Sequence, residues 1–299
     1  MVILMKKTGI LCMILALFIL NACTEDQDIP YIDTVDEVFT IEHDGLKREY
    51  YVYIPSEIKE GAPMLMMMHG YGGTIDYFVE RTDMKELADQ DKVILVYPEG
   101  TRALGLNHWD ANLDYETVYD VGFLTTLVDH LIDEYHVNED LVFAGGHSNG
   151  GFMAYTLACE ANDTFKAYMS VSGLMSGQTW DTCEIDEETN LFHFHGTEDD
   201  IVPMDGTMTS SFGWGGAPPL EDMLQPWIEV LKNPTSSEES LNEDVSLKKY
   251  VSENDKIVTY IKAKGHGHFW AQDDDLLEDE DSYSDMSQLL WNYMTEFID

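Results

Sequence analysis

A chain of 299 residues with 44% hydrophobic content can bury one large α/β core or two small ones. Its 57 acidic residues against 16 lysines and arginines leave a formal net charge of −41. That charge argues against nucleic acid, anionic lipid surfaces and polyanionic substrates as partners.

The first residues carry Lys6 and Lys7, then an apolar run over residues 10–20, then Leu20, Asn21, Ala22 and Cys23. The run is too short to favour a transmembrane helix and reads as an export signal over residues 1–22. Its end resembles a bacterial lipoprotein lipobox. The resemblance implies that Cys23 is the lipidated first residue of an exported protein held to a membrane only by that lipid; a secreted soluble protein, cut by ordinary signal peptidase, is the alternative. Residues 23–44 are expected to form an acidic tether, polar above all over 24–37, ahead of one domain over residues 45–299. With Cys12 in the signal and Cys23 bearing the lipid, Cys159 and Cys183 remain as one pair, expected to form a disulfide in an oxidising compartment.

Residues 49–54 are β-rich and stop at Pro55. The continuous apolar run 63–68 reads as a central strand buried on both faces. It leads into His69-Gly70-Tyr71-Gly72-Gly73. Residues 77–90 have helical spacing, 92–97 read as another buried strand, and 105–116 as loop. Val121, Leu124, Leu127, Val128, Leu131 and Ile132 recur at helical intervals within residues 118–135.

Residues 141–144 then form a short apolar β run that meets Gly146-His147-Ser148-Asn149-Gly150, with a helix to about residue 161. Strand, G-x-S-x-G and helix in that order are the context of a nucleophile elbow. The turn is expected to hold Ser148 in strained geometry with its hydroxyl exposed. The Asn149 N–H is expected at a helix N-terminus, where it can meet a developing oxyanion.

Residues 167–171 and 190–195 read as further strands, 206–219 as glycine- and proline-rich loop and 220–231 as helix. Residues 233–244 read as a polar surface excursion, 256–262 as the last strand, 273–281 as an acidic loop and 285–297 as the closing helix. Strands alternating with helices imply a mostly parallel central sheet flanked by helices, in one domain, with its chemistry at the strands' carboxyl ends. A serine nucleophile needs a base and an orienting acid, in the order Ser, acid, His for this architecture. Pattern alone leaves Glu198, Asp199 or Asp200 as the acid and His266 or His268 as the base.

Six motifs occur in order: His69-Gly70-Tyr71-Gly72-Gly73, Tyr97-Pro98-Glu99-Gly100, Asp120-Val121-Gly122-Phe123-Leu124, Gly146-His147-Ser148-Asn149-Gly150-Gly151, His195-Gly196-Thr197-Glu198-Asp199, and Gly265-His266-Gly267-His268-Phe269-Trp270. Together they resemble the polyhydroxybutyrate-depolymerase/feruloyl-esterase family of secreted α/β-hydrolases over residues 45–298. The resemblance implies the α/β-hydrolase fold, a carboxylic-ester substrate (feruloyl or acetyl groups on plant polysaccharide, with a 3-hydroxybutyrate polyester as the alternative) and no metal or organic cofactor; a serine peptidase and a non-catalytic glycan-binding lipoprotein are the readings from other classes. It also implies Asp199 as acid, His268 as base, the Tyr71 and Asn149 N–H groups as oxyanion donors, and a Cys159–Cys183 disulfide. His266 stands where the family usually has glycine, and Ala271 where it has proline. Trp109 and Trp270 are candidates to line the acyl pocket, with loop packing as the other reading. His69 and His195 read as supports at strand ends.

Overall fold

The computed structural model describes residues 29–102, 105–114, 118–185, 187–271 and 286–298. The expected export signal over residues 1–22, Cys23 and the acidic run 273–281 lie outside these residues. Ten strands form one sheet: β1 (Val35–His43), β2 (Leu46–Ile54), β3 (Met64–Met68), β4 (Ile94–Pro98), β5 (Val142–His147), β6 (Ala167–Val171), β7 (Leu191–Gly196), β8 (Thr235–Ser240), β9 (Val245–Val251) and β10 (Ile257–Ala263). Their order across the sheet is β1-β2-β4-β3-β5-β6-β7-β10-β9-β8. The six strands from β4 to β10 pair in parallel, and antiparallel strands extend both edges.

Seven helices are described: α1 (Ile75–Thr82), α2 (Lys85–Asp91), α3 (Asp120–Tyr135), α4 (Asn149–Glu160), α5 (Gly177–Thr182), α6 (Leu220–Glu229) and α7 (Met286–Thr295). β3 shows why the sheet needs cover on both faces. Met64, Met66 and Met68 point into one core with residues of α3, α4 and α6, while Leu65 and Met67 point into another with residues of α1, α2 and α7. Side chains alternate along a strand, so a run apolar at every position must be buried on both sides. α4 is buried at every position from Asn149 to Ala158. A helix apolar nearly all round belongs in the interior, and this one carries the elbow.

Three segments depart from the sequence expectation, and β9 and α5 form where no element is expected. Residues 35–43, expected within the tether, form edge strand β1 along the whole length of β2. Val35, Phe39, Ile41 and His43 are half-buried while the residues between are mostly exposed, a period-two signal that the acidic composition hides. The excursion at 233–244 contains β8, exposed at all six positions, so its pairing with β9 leaves no apolar alternation to read. The single helical stretch at 77–90 is two helices, broken where Asp83 turns left-handed at φ 46° and donates its N–H to Val79 O.

Cys159, in the last turn of α4, is disulfide-bonded to Cys183, which caps α5. In the chain-entropy account a crosslink across 24 residues adds about 3 kcal/mol. It ties the far end of the elbow's helix to its neighbour.

Candidate active site

Ser148 is the one residue between β5 and α4, at φ 54° and ψ −118°. A side chain rarely adopts that conformation, and holding it costs about 1–3 kcal/mol. Its N–H donates to Val171 O (2.8 Å) and its carbonyl accepts from Phe152 N–H (2.9 Å), so both ends of the turn are tied. A Cβ on Gly146 would lie 2.4 Å from the Gly150 carbonyl, and one on Gly150 would lie 2.1 Å from Met68 O. Only glycine lets α4 leave the strand this sharply.

Four loops at the carboxyl ends of β3, β5, β7 and β10 meet here. Ser148 Oγ lies 2.8 Å from His268 Nε2, and His268 Nδ1 lies 2.7 Å from Asp199 Oδ2. The Asp199 side chain is fully buried and that of His268 nearly so. Asp199 Oδ1 accepts the N–H groups of Ile201 (3.0 Å) and Val202 (2.7 Å), and Oδ2 lies 3.4 Å from His195 Nε2. Burial pushes this carboxyl up, but hydrogen bonds from His195, His268 and the Val202 N–H outweigh it and hold the group well below the usual carboxylate range. An ionised Asp199 makes His268 carry its proton on Nδ1, which leaves the Nε2 lone pair facing the serine hydroxyl.

Of the residues that pattern left open, Glu198 and Asp200 are exposed. His266 turns away from the serine: its Nε2–H donates to Phe269 O (3.1 Å), and its ring packs 4.1 Å from that of Phe269. Its carbonyl accepts the Glu198 N–H (2.9 Å), joining the loop of the acid to the loop of the histidine.

Both expected oxyanion donors border Ser148. Asn149 opens α4, so its N–H has no acceptor within the helix. Its side chain grips the Trp109 backbone from both sides, Oδ1 accepting the N–H (2.7 Å) and Nδ2 donating to the carbonyl (3.1 Å). The Tyr71 N–H belongs to the peptide whose other end is Gly70 O. That oxygen accepts from Gly73 N–H (2.9 Å) and from His69 Nδ1–H (2.8 Å). A peptide is planar, so anchoring its carbonyl also fixes its N–H. The assignment of His69 follows because Gly100 N–H donates to its Nε2 (3.0 Å). His69 is thus a neutral support, as expected, and it works on the peptide that bears a candidate donor.

Two features were not foreseen. The Asn149 side chain works as a clamp, and Asp120 holds the clamped loop. Arg48 Nη2 donates to Asp120 Oδ1 (2.7 Å) in a buried ion pair, and Asp120 Oδ2 accepts Asp110 N–H (2.8 Å), next to Trp109. Trp109 itself does not line an acyl pocket. It is fully buried, its indole N–H donates to His69 O (2.9 Å), and its ring packs 5.1 Å from that of His69. Trp270 does border the cleft beside Ser148, which has a volume of about 520 Å³ and is also lined by Tyr71, Tyr77, Phe78, Arg81 and Phe269. Trp214, in the glycine-rich 206–219 loop, packs on Phe152 and Tyr71. Among the described residues no cluster of His, Cys, Asp or Glu could hold a metal ion.

Burial brings His69 down to about 4, and burial likewise holds His193 of β7 well below its ordinary value. Both histidines gain a proton on unfolding before the folded protein accepts one. Their contribution is therefore complete above pH 6.5 and is lost as pH falls toward 4. For His69 alone the loss is about 3 kcal/mol. The expected result is a melting temperature that falls steeply between pH 6.5 and 4.5; a flat profile there would contradict the neutral assignment.

Comparison with solved structures decides the architecture. An acetyl xylan esterase from Aspergillus awamori superposes with a TM-score of 0.59 at 16% identity, covering 78% of this chain and 94% of that one. The chain has the α/β-hydrolase fold. A match to the prolyl oligopeptidase family, Peptidase S9, spans residues 84–188 of this hydrolase fold, which takes in the Ser148 elbow and stops short of Asp199 and His268. The chain is similar to feruloyl and acetylxylan esterases. It is 27% identical over 158 residues to the bifunctional acetylxylan esterase/xylanase XynS20E of Neocallimastix patriciarum, covering 53% of this chain and 22% of that protein. It is 30% identical over 171 residues to feruloyl esterase C of Emericella nidulans, covering 54% and 58%. The chain thus spans less than two thirds of the length of these relatives.

Proposed function

We propose that this protein is an exported serine ester hydrolase acting on feruloyl or acetyl esters carried by plant polysaccharide. The observation that carries the reading is the hydrogen-bonded line Ser148–His268–Asp199 at a strained strand-to-helix turn. Ser148 Oγ attacks the ester carbonyl carbon while His268 Nε2 takes the hydroxyl proton. Asp199 holds the imidazole tautomer and stabilises the imidazolium. The carbonyl oxygen, now an oxyanion, is met by the Tyr71 and Asn149 N–H groups. As the tetrahedral adduct collapses, His268 returns the proton to the departing alkoxide, leaving an acyl-Ser148. Water then repeats the sequence, giving the free acid and the free serine. The aromatic walls of the cleft suit an aryl acyl group or a sugar ring. Residues 1–22 as export signal and Cys23 as a lipid-bearing residue belong to the same reading.

Initial rates on methyl ferulate, an acetylated xylo-oligosaccharide, a 3-hydroxybutyrate oligomer and a peptide p-nitroanilide test it. Turnover of either of the first two supports the proposal. Preference for the hydroxybutyrate oligomer would move the substrate to polyester, and turnover of the anilide alone would follow the peptidase match instead.

A further inference from the structure

Behind Asp199, on the side away from the cleft, runs a line of buried polar groups that the proposed chemistry leaves unused. Tyr155 of α4 and His193 and His195 of β7 are each 0% exposed. Tyr155 Oη lies 2.7 Å from His193 Nδ1, His193 Nε2 lies 3.1 Å from His195 Nδ1, and His195 Nε2 lies 2.8 Å from Val202 O. The two imidazoles stack 5.3 Å apart with 6° between their planes.

The chemistry of the two ends directs the protons along this line. Val202 O only accepts, so His195 Nε2 carries a hydrogen. At the other end burial pushes the Tyr155 phenol well above its ordinary value, so it keeps its proton and donates it to His193 Nδ1. Burial keeps His193 neutral, which puts its single proton on Nε2, facing His195 Nδ1. Every donor therefore points toward the loop that bears Asp199. The line ends with His195 Nε2 at 3.4 Å from Asp199 Oδ2, the oxygen that receives His268 Nδ1–H. Val202 is held from both sides, its N–H on Asp199 Oδ1 and its carbonyl on His195.

We propose that Tyr155, His193 and His195 form a positioning line for Asp199, with His195 fixing the acid's Oδ2 and the turn 199–202 in the orientation that His268 requires. The proposal rests on the reading of Ser148, His268 and Asp199 as the reacting set. It gives the buried imidazole pair a task that an apolar pair of similar volume could not perform, since buried polar groups are costly unless fully partnered. It also links α4, which starts at the nucleophile, to the loop of the acid through side chains alone.

The test compares His195→Phe with His195→Gln, whose amide can restore a donor toward Val202 O. The measurements are kcat, KM and the pH dependence of kcat on p-nitrophenyl acetate. The groups facing His268 are Asp199 from the β7 loop and His147 from β5, whose ring lies 5.2 Å away; Arg81 of α1 and His266 of the same loop act on His147. None of these residues is itself replaced in either variant. His195→Phe is expected to lower kcat roughly 10- to 100-fold with KM within about threefold, and to move the acid limb to lower pH because a misaligned Asp199 stabilises the imidazolium less. His195→Gln is expected to recover most of both. Tyr155→Phe removes only one hydroxyl at the far end and serves where His195→Phe does not fold; it should lower kcat about threefold in the same pattern. Wild-type kcat and limb in His195→Phe, or in Tyr155→Phe where that variant stands in, would overturn the proposal, as would equal impairment in His195→Phe and His195→Gln. A wild type inert on every ester would overturn the hydrolase reading and this proposal with it; an active wild type with indifferent variants would overturn the positioning line alone.

Discussion

Ser148→Ala is expected to lower kcat roughly 10⁴- to 10⁶-fold on whichever ester the wild type prefers, with KM changed only a few-fold. The methyl side chain keeps the backbone of the turn, so the Val171 and Phe152 hydrogen bonds remain and the fold should melt within a few degrees of wild type. What disappears is the hydroxyl oxygen that lies 2.8 Å from His268 Nε2. Residual hydrolysis would come from a water polarised by the Tyr71 and Asn149 N–H groups. Adding His268→Ala to Ser148→Ala should cost little more, because a base without its nucleophile has no proton to take. Steady-state kinetics, together with covalent labelling by a fluorophosphonate in wild type and not in the variant, check this. Comparable rates in wild type and Ser148→Ala would place the reaction elsewhere in the molecule.

Gly150→Ala is expected to be the most damaging single methyl group. An added Cβ would stand 2.1 Å from Met68 O and 2.9 Å from His69 O, both backbone atoms at the end of β3. Neither can swing aside as a flexible side chain would. α4 must then lift from β3, and the elbow and the Gly70–Tyr71 peptide lose their register together. The expected loss is about 3 kcal/mol or more, and a melting temperature lower by roughly 6–12 °C for a domain of this size. Activity should fall further than the folded fraction does, because the two proposed oxyanion donors come from the two elements forced apart. Thermal unfolding followed by circular dichroism, with kinetics on the surviving folded fraction, separates the two effects. A variant as stable and active as wild type would mean that α4 is not seated against β3 as described.

The run of apolar residues in β3, the helical spacing of α3 and the Gly-Ser-Gly turn are local patterns, and the parallel strands, most of the helices and Ser148 were legible from patterns of this kind. Asp199 and His268 were not separable by pattern from Glu198, Asp200 and His266, since all sit beside strand ends. Resemblance to a family favoured the pair that the structure brings together with Ser148. The geometry adds the reason, because His266 is turned onto Phe269 O and the two neighbouring acids face solvent. For Trp109 the second of its two readings, loop packing, is the one the structure bears out: the Asn149 side chain holds its backbone, its indole N–H donates to His69 O, and the Arg48–Asp120 pair holds the next residue. Such contacts have no period and leave no trace in a one-dimensional pattern. Edge strands β1 and β8 were lost for a related reason, since one or both of their faces meet water and acidic residues there look like linker.

The methionines of β3 carry a consequence for oxidative damage. Met64, Met66, Met67 and Met68 lie in the innermost strand region with no measurable exposure, and Met67 Sδ would be 2.8 Å from a Cβ on Gly145. A peroxide cannot reach these thioethers while the sheet is closed, so their oxidation is limited by opening of the whole domain and not by breathing of its loops. Once formed, a sulfoxide brings a polar oxygen into the close-packed cores on the two faces of β3. A molecule oxidised there is barred from closing again. The strand that gives the sheet its dry centre thus turns a brief excursion out of the native state into a permanent one wherever oxidant is present.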